Sequence, residues 1–469
     1  MKLFSKSSSR GDQESHSSSK PLSPEDNIQP DQVVLTPEES RILYSKITWR
    51  LIPMLFICYI IAYIDRINIG FTKLQLQGVL GVDEKVFGGV YGLGAGLFFI
   101  GYFLFEVPSN LIMQRVGARI WIARIMIVWG IVSMGMIFIH STATFYSARF
   151  LLGVAEAGFY PGVILYLTYW FPDKERAHTV ALFATGTVIA GIVGSPISGA
   201  ILGLHNRAGL EGWQWLFLLE GIPAVLMGLV IFFVLPNRPR NVRWLSLSEK
   251  AWIQSRLDEE FLQSKGKAHF RLSEVFKSGR IWLLCCIYFL LTVGIYGYEM
   301  WLPSIIKEFS GLSYSMVGLI NAIPYIAAMV AMVLIGYHSD KTGERRWHVA
   351  IAALSAAAGF GLSAWLNNPF FALVALMMAL IGLKSAMAPF WALSTTFLSG
   401  TAAAGGIALI NSVGNLGGFV GPTLVGVIND RTGSIEISLW ILGGALLLMA
   451  LLTLTIRPQK LESLPVTKK

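Results

Sequence analysis

The sequence predicts an all-α membrane protein, with twelve transmembrane helices arranged as two pseudo-symmetric six-helix bundles. Three observations carry this expectation. Of 469 residues, 54% are hydrophobic and only 14% charged, with a mean hydropathy of +0.59, whereas soluble globular chains carry about 25% charged residues. Apolar stretches of roughly 20 residues recur along the chain, each long enough at about 1.5 Å per residue to cross about 30 Å of hydrocarbon. Features of the first half also return in the second at a nearly constant offset. This composition excludes a cytosolic enzyme, a disordered scaffold and a nucleic-acid-binding domain. A closed β-barrel is excluded too, because its strands would alternate with period two, and these runs are apolar on all faces.

Residues 1–40 are rich in Ser, Pro, Asp and Glu and contain no apolar core of a signal peptide; they read as a disordered cytoplasmic tail. Spans are expected near 48–71, 89–112, 119–139, 143–170, 178–203 and 214–235, which place a first bundle over 41–235. A long polar loop, 236–280, separates it from spans near 281–303, 316–338, 347–366, 370–397, 405–428 and 436–457. These define a second bundle over 281–457, and 458–469 forms a short second tail. Cys58, Cys285 and Cys286 all lie in apolar runs without metal-ligand spacing and read as small core residues.

Basic residues sort by side. Four fall in the first 40 residues and 25 more in the segments on the same side of the spans, ten of them in 236–280; the opposite loops hold only Lys73, Lys85, Arg207, Lys307 and Arg431. The positive-inside rule then puts both termini in the cytoplasm. The net charge of +9 is thereby a matter of topology and requires no polyanion partner.

After the eighth span comes Gly336-Tyr-His-Ser-Asp340-Lys341-Thr-Gly343-Glu344-Arg345-Arg346, and after the second span Asn110-Leu-Ile-Met-Gln114-Arg115-Val-Gly117-Ala-Arg119 is a worn copy, offset by 226 residues. Aligning Pro161 with Pro389 sets Glu156 opposite Lys384, an offset of 228. Two similar offsets over different elements point to a duplicated six-helix unit. The twelve spans, the central loop and the GxxxD[RK]xGxRR loop resemble the major facilitator superfamily over residues 41–457. Within it, YIDRINIGF at 63–71, GYFLFEVPSN at 101–110, RFLLGVAEAGFYPG at 149–162 and NSVGNLGGFVGP at 411–422 resemble the anion:cation symporter family. Its bacterial members take up organic acids such as tartrate, galactonate, hexuronates or phthalate with protons. Gln114 and Asn110 depart from the usual loop pattern, which weakens the inter-helix ion pair of the first half.

An ionisable residue inside a bilayer costs on the order of 3 kcal/mol or more, so each needs an account. Arg149 and Glu156 are seven apart, two turns along nearly the same helix face; they make either a structural ion pair or a site holding a carboxylate and a proton together. A guanidinium is a permanent, planar anion clamp. The resemblance makes Glu156 the proton site, Arg66 a substrate-carboxylate contact and Tyr102 a substrate hydrogen bond. Asp65 reads as a second protonatable or an orienting acid, while a helix-end location is the alternative for both Asp65 and Arg66. Tyr63 shares a stripe with Tyr59 and Arg66. Tyr102 could equally be an interfacial aromatic. Glu106 and Glu220 read as structural.

Glu299 and Lys384 depart from the family pattern. They either meet across the central cavity, where Lys384 neutralises Glu299 or adds a second cation for a dicarboxylate, or lie near the surface with Lys384 snorkelling. Trp391, Ser394, Asn411 and Asn415 offer uncharged contacts for a hydroxylated acid, or serve helix packing. Asp340, Lys341, Arg345 and Arg346 resemble the superfamily's gate latch, which docks on a neighbouring helix in the outward-open state. Glycine- and proline-rich stretches in the fourth, fifth and eleventh spans suit bundles that rock against each other.

The expectation is a proton-coupled symporter of the bacterial inner membrane, multi-pass with cytoplasmic termini and acting as a monomer. It would import a small organic carboxylate (tartrate-like, a sugar acid or an aromatic acid) by alternating access, with protons as the coupling ion and no other cofactor. An uncoupled facilitator or exchanger and a transporter-like receptor are the rival readings. No HExxH, paired catalytic Asp or GxSxG in a suitable setting suggests an enzyme.

Overall fold

The computed structural model describes residues 35–266, 276–396 and 401–456. The expected tail over the first 34 residues, residues 267–275 of the central loop, and everything from Arg457 onward lie outside them.

Among the described residues, twelve helical spans are long and apolar enough to cross a membrane: span 1 (Pro37–Leu80), span 2 (Glu84–Val116), span 3 (Ala118–Phe138), span 4 (Thr142–Leu167), span 5 (Thr185–Leu202), span 6 (Gly212–Val234), span 7 (Gly279–Ser310), span 8 (Tyr314–Thr342), span 9 (Arg345–Trp365), span 10 (Pro369–Thr396), span 11 (Gly405–Thr432) and span 12 (Ile435–Thr455). Large apolar side chains such as Phe233, Trp365 and Phe370 stand exposed on their outer faces, which in lipid costs nothing. Span 1 starts well before the expected residue 48, because Thr36 and Glu39 form a reciprocal capping box with Pro37 in the first turn.

Packing repeats between the halves. Span 3 packs on span 6, span 2 on span 4 and span 1 on span 5; in the same order, span 9 packs on span 12, span 8 on span 10 and span 7 on span 11. The main contacts between halves are likewise exchanged by this relation: span 2 on span 11, and span 8 on span 5. A two-fold operation that adds six to the span number accounts for all of them, as a duplicated unit requires.

Several spans expected as continuous helices are broken. Span 4 stops at Glu156 and resumes at Phe159. Gly158 between them has φ +86°, and a Cβ there would lie 2.3 Å from Ser109 Oγ, so only glycine fits the turn. Spans 1, 7 and 11 break at Asn68, at Met300–Trp301 and at Leu416. The central loop contains a helix, Leu247–Gly266, opened by the reciprocal pair Ser246–Glu249 and held to span 1 by the Lys46–Glu249 ion pair at 3.0 Å and by Tyr44 against Trp252, ring centres 5.6 Å apart.

The halves are tied at the end opposite the termini, here the far side. The Asp430 carboxylate on span 11 accepts from the backbone N–H groups of Gly88 (2.9 Å) and Gly89 (2.5 Å) on span 2. The Tyr91 hydroxyl lies 2.9 Å from the Ile69 carbonyl and 3.1 Å from that of Met300. Asn321 on span 8 donates to Ser195 on span 5 at 2.7 Å, and the Lys73 ammonium sits 3.8 Å from the centre of the Trp301 ring.

Candidate functional site

Span 1 runs to the middle of the bundle before its break at Asn68, and there it presents Tyr63 and Arg66 one turn apart. Arg66 contacts Glu156 directly through Nη2 and Oε1, and its Nη1 donates to the Tyr296 hydroxyl of span 7 at 3.3 Å. Its guanidinium carbon lies 5.3, 5.4 and 5.9 Å from the ring centres of Phe98, Tyr102 and Tyr63, so aromatic faces surround the cation where water would otherwise solvate it. Glu156 is fully buried and the Arg66 side chain keeps 12% of its surface. Arg66 Nε and Glu156 Oε2 have no hydrogen-bond partner among the described residues. The break at Gly158 follows Glu156 by two residues, so this carboxylate stands at a helix end rather than mid-helix.

A second ion pair lies beside the first. Lys384 Nζ on span 10 is 2.7 Å from Glu299 Oε1 on span 7, both buried. The Tyr63 hydroxyl donates to Glu299 Oε2 at 2.7 Å and accepts from Lys384 at 3.1 Å, and Tyr325 of span 8 reaches Glu299 Oε1 at 3.3 Å. Glu299 and Lys384 therefore meet in the middle of the protein, not at its surface.

The other residues singled out from the sequence are placed as follows. Arg149 shares a helix with Glu156 but does not pair with it: its guanidinium lies over Phe98, 5.2 Å from the ring centre, and donates to the Ala95 carbonyl at 3.3 Å. Its Nε and Nη1 have no partner among the described residues, two donors whose burial costs about 1–3 kcal/mol each if they stay unpaired. Asp65 accepts from Trp129 Nε1 (2.6 Å), Ser133 Oγ (2.5 Å) and Asn68 Nδ2 (3.2 Å). Of the two roles read for it, this saturated carboxylate fits the orienting one, fastening span 1 to span 3. Tyr102 is buried over Arg66.

Ser394 gives its hydroxyl to the Phe390 carbonyl one turn back, at 2.9 Å, and Trp391 packs on Tyr288 with ring centres 5.0 Å apart. Asn411 donates across the halves to Glu106 at 2.8 Å, joined by Ser412 at 3.3 Å. Glu106, read from the sequence as structural, is a bridge between spans 2 and 11. Asn415 ends the first helical piece of span 11, half-buried. Glu220 accepts from Ser198 at 2.7 Å within the first half. In the loop after span 8, Asp340 pairs with Arg345 of its own loop at 2.6 Å and stays largely exposed; Arg346 donates to the Ile456 carbonyl at 3.1 Å, and Lys341 is exposed. Among the described residues the polar contacts of this loop stay within its own half, in a molecule whose far side is closed.

Sequence reasoning missed Tyr296 and Tyr325. The signal for Tyr296 lay in the repeat: Tyr63-x-x-Arg66 returns as Tyr296-x-x-Glu299, 233 positions later at both residues.

Twelve spans in two-fold-related halves, closed at one end around buried charges, define a multi-pass membrane carrier of small molecules and not an enzyme. The chain belongs to the major facilitator superfamily, whose family model matches residues 55–422 and again 307–469. It is 50% identical over 424 residues to a protein of Agrobacterium vitis named "Putative tartrate transporter", spanning 90% of this chain and 93% of that one. It is 43% identical over 408 residues to the quinolone resistance transporter of Acinetobacter baumannii, 87% of this chain and 93% of the relative. The fold matches the partially occluded inward-open structure of the Escherichia coli xylose transporter XylE with a TM-score of 0.72 at 16% identity, over 87% of this chain and 98% of that chain.

Proposed function

We propose that the protein is a proton-coupled symporter that imports a small organic carboxylate across the bacterial inner membrane by alternating access, its termini cytoplasmic. The observation that carries this reading is the direct Arg66–Glu156 contact. A carboxylate substrate needs the same guanidinium that Glu156 occupies. Two anions cannot share one buried cation without a large penalty, so the substrate displaces Glu156 only when Glu156 takes a proton. Proton and substrate then raise each other's affinity, and by linkage they do so equally. The unused donors of Arg149, on the helix that carries Glu156, would supply further hydrogen bonds to the anion, and Tyr102 and Tyr296 would line its path.

The relative named for tartrate transport supports a carboxylate as cargo. The far-side closure suits a carrier caught facing the side of its termini. Each net charge moved draws about 2.3 kcal/mol per 100 mV of membrane potential.

Uptake of radiolabelled tartrate by purified protein in liposomes tests the reading. An acid-outside gradient is expected to drive accumulation above the external concentration, and a protonophore to abolish it. Uptake that only equilibrates, whatever the gradient, would show an uncoupled carrier.

A further inference from the structure

The two ion pairs are related by the same two-fold operation as the helices, with their charges exchanged. In the first half span 1 contributes the base and span 4 the acid, Arg66 and Glu156; in the second half span 7 contributes the acid and span 10 the base, Glu299 and Lys384. Each of spans 1 and 7 carries a tyrosine three residues before its charge, and each tyrosine crosses to the opposite pair. Tyr63 bonds Glu299 and Lys384, and Tyr296 bonds Arg66. Both cations flank a single ring: the Arg66 guanidinium carbon is 5.9 Å and the Lys384 nitrogen 5.0 Å from the centre of Tyr63.

As mere fastening, this arrangement is poor. A buried ion pair holds helices together no better than apolar side chains of the same volume, and four charges at mid-membrane depth each carry an insertion cost of about 3 kcal/mol. A ligand with two negative ends gives them a common purpose.

We propose that the central site is built for a dicarboxylate, with one carboxylate on Arg66 and the other on Lys384. This rests on the carboxylate reading above and narrows it. Glu299 is surrounded by Lys384, Tyr63 and Tyr325, so Lys384 is the cation it must give up. When the second carboxylate takes Lys384, Glu299 is left without a counter-charge and binds a proton, as Glu156 does in the first half. A dianion therefore enters with two protons and a monoanion with one. After release both protons leave their glutamates and both ion pairs re-form.

Isothermal titration of the purified full-length protein tests this, with tartrate, malate and succinate set against glycerate, lactate and butyrate. The wild type is expected to bind the dicarboxylates at least tenfold tighter than their monocarboxylate partners. Glu299→Gln combined with Lys384→Gln removes the pair without stranding a charge, and should bring that ratio close to one. Lys384→Arg keeps the cation and should keep most of the preference, which controls for damage to the fold. A double variant with the wild-type ratio, an equal loss of both acid classes, or a wild type that does not distinguish them would overturn the assignment. A wild type that binds monocarboxylates alone overturns it while leaving carboxylate symport standing; one that binds neither class removes both.

Discussion

Removing the Asp430 side chain should loosen the far side of the protein. Its carboxylate takes two backbone N–H groups from span 2, at 2.9 and 2.5 Å, and these bonds exist only while the two halves are together at that end. Hydrogen bonds to a charged group contribute about 1.5–3 kcal/mol net, so Asp430→Ala at the lower figure loses about 3 kcal/mol of closure. With each 1.4 kcal/mol worth a factor of ten, the ratio of far-closed to far-open molecules falls roughly a hundredfold. Asp430→Asn keeps an acceptor but no charge, and about half the loss is expected. Gly88→Ala should act in the same direction, since its Cβ would lie 2.4 Å from Asp430 Oδ1 and 2.9 Å from the Gly426 carbonyl.

Spin labels at Lys85→Cys and Arg431→Cys, both exposed at the far ends of spans 2 and 11, report the separation once Cys58, Cys285 and Cys286 are replaced. The variants should move the pulsed-resonance distance distribution to longer values in the order Ala beyond Asn. Distributions that overlay the parent's would refute the idea that this carboxylate holds the halves together.

Further outcomes follow from the same contacts. Gly158→Ala forces a side chain into a left-handed turn and against Ser109, and should lower the midpoint of thermal unfolding in detergent; an unchanged midpoint would mean that the turn is not needed. Asp65→Ala strands the Trp129 and Ser133 donors in the first half, at about 1–3 kcal/mol for each unsatisfied group, and should destabilise the protein far more than Asp65→Asn, as read by the same melting assay.

In the loop helix, burial works against the ionised form of Glu249, but the Ser246 and Lys46 hydrogen bonds outweigh it and hold the carboxyl below the usual carboxylate range. A depressed native pKa stabilises above the unfolded pKa, and the benefit vanishes as pH falls through the native one. Exchange of amide hydrogens over 247–266, corrected for intrinsic rate, should thus rise selectively under acidic conditions and not between pH 6 and 8.

The twelve spans were legible because a membrane imposes length and apolarity on every crossing, and the repeat was legible in the two loops and in Glu156 opposite Lys384. The breaks at Asn68, Gly158 and Leu416 were not, since hydropathy registers side chains and not the backbone turn between two apolar pieces. The helix over 247–266 hid in a polar loop; its clue was Ser246-x-x-Glu249 ahead of Trp252 and Ile253. Periodicity put Arg149 and Glu156 on one face correctly enough, yet the partner of Glu156 came from another helix, because which cation reaches a carboxylate depends on how spans 1, 2 and 4 pack. For the same reason the Glu106–Asn411 bridge could not be read from either span alone.

The central claim is that Glu156 carries the coupling proton through its competition with substrate for Arg66. Gradient-driven accumulation by Glu156→Gln in liposomes of labelled glycerate, a monocarboxylate that takes only Arg66 and a single proton, tests it most directly. With a side chain that cannot release a proton, internal glycerate should level off at the external concentration, however steep the imposed pH difference. Accumulation by this variant that still grows with the gradient would contradict the account.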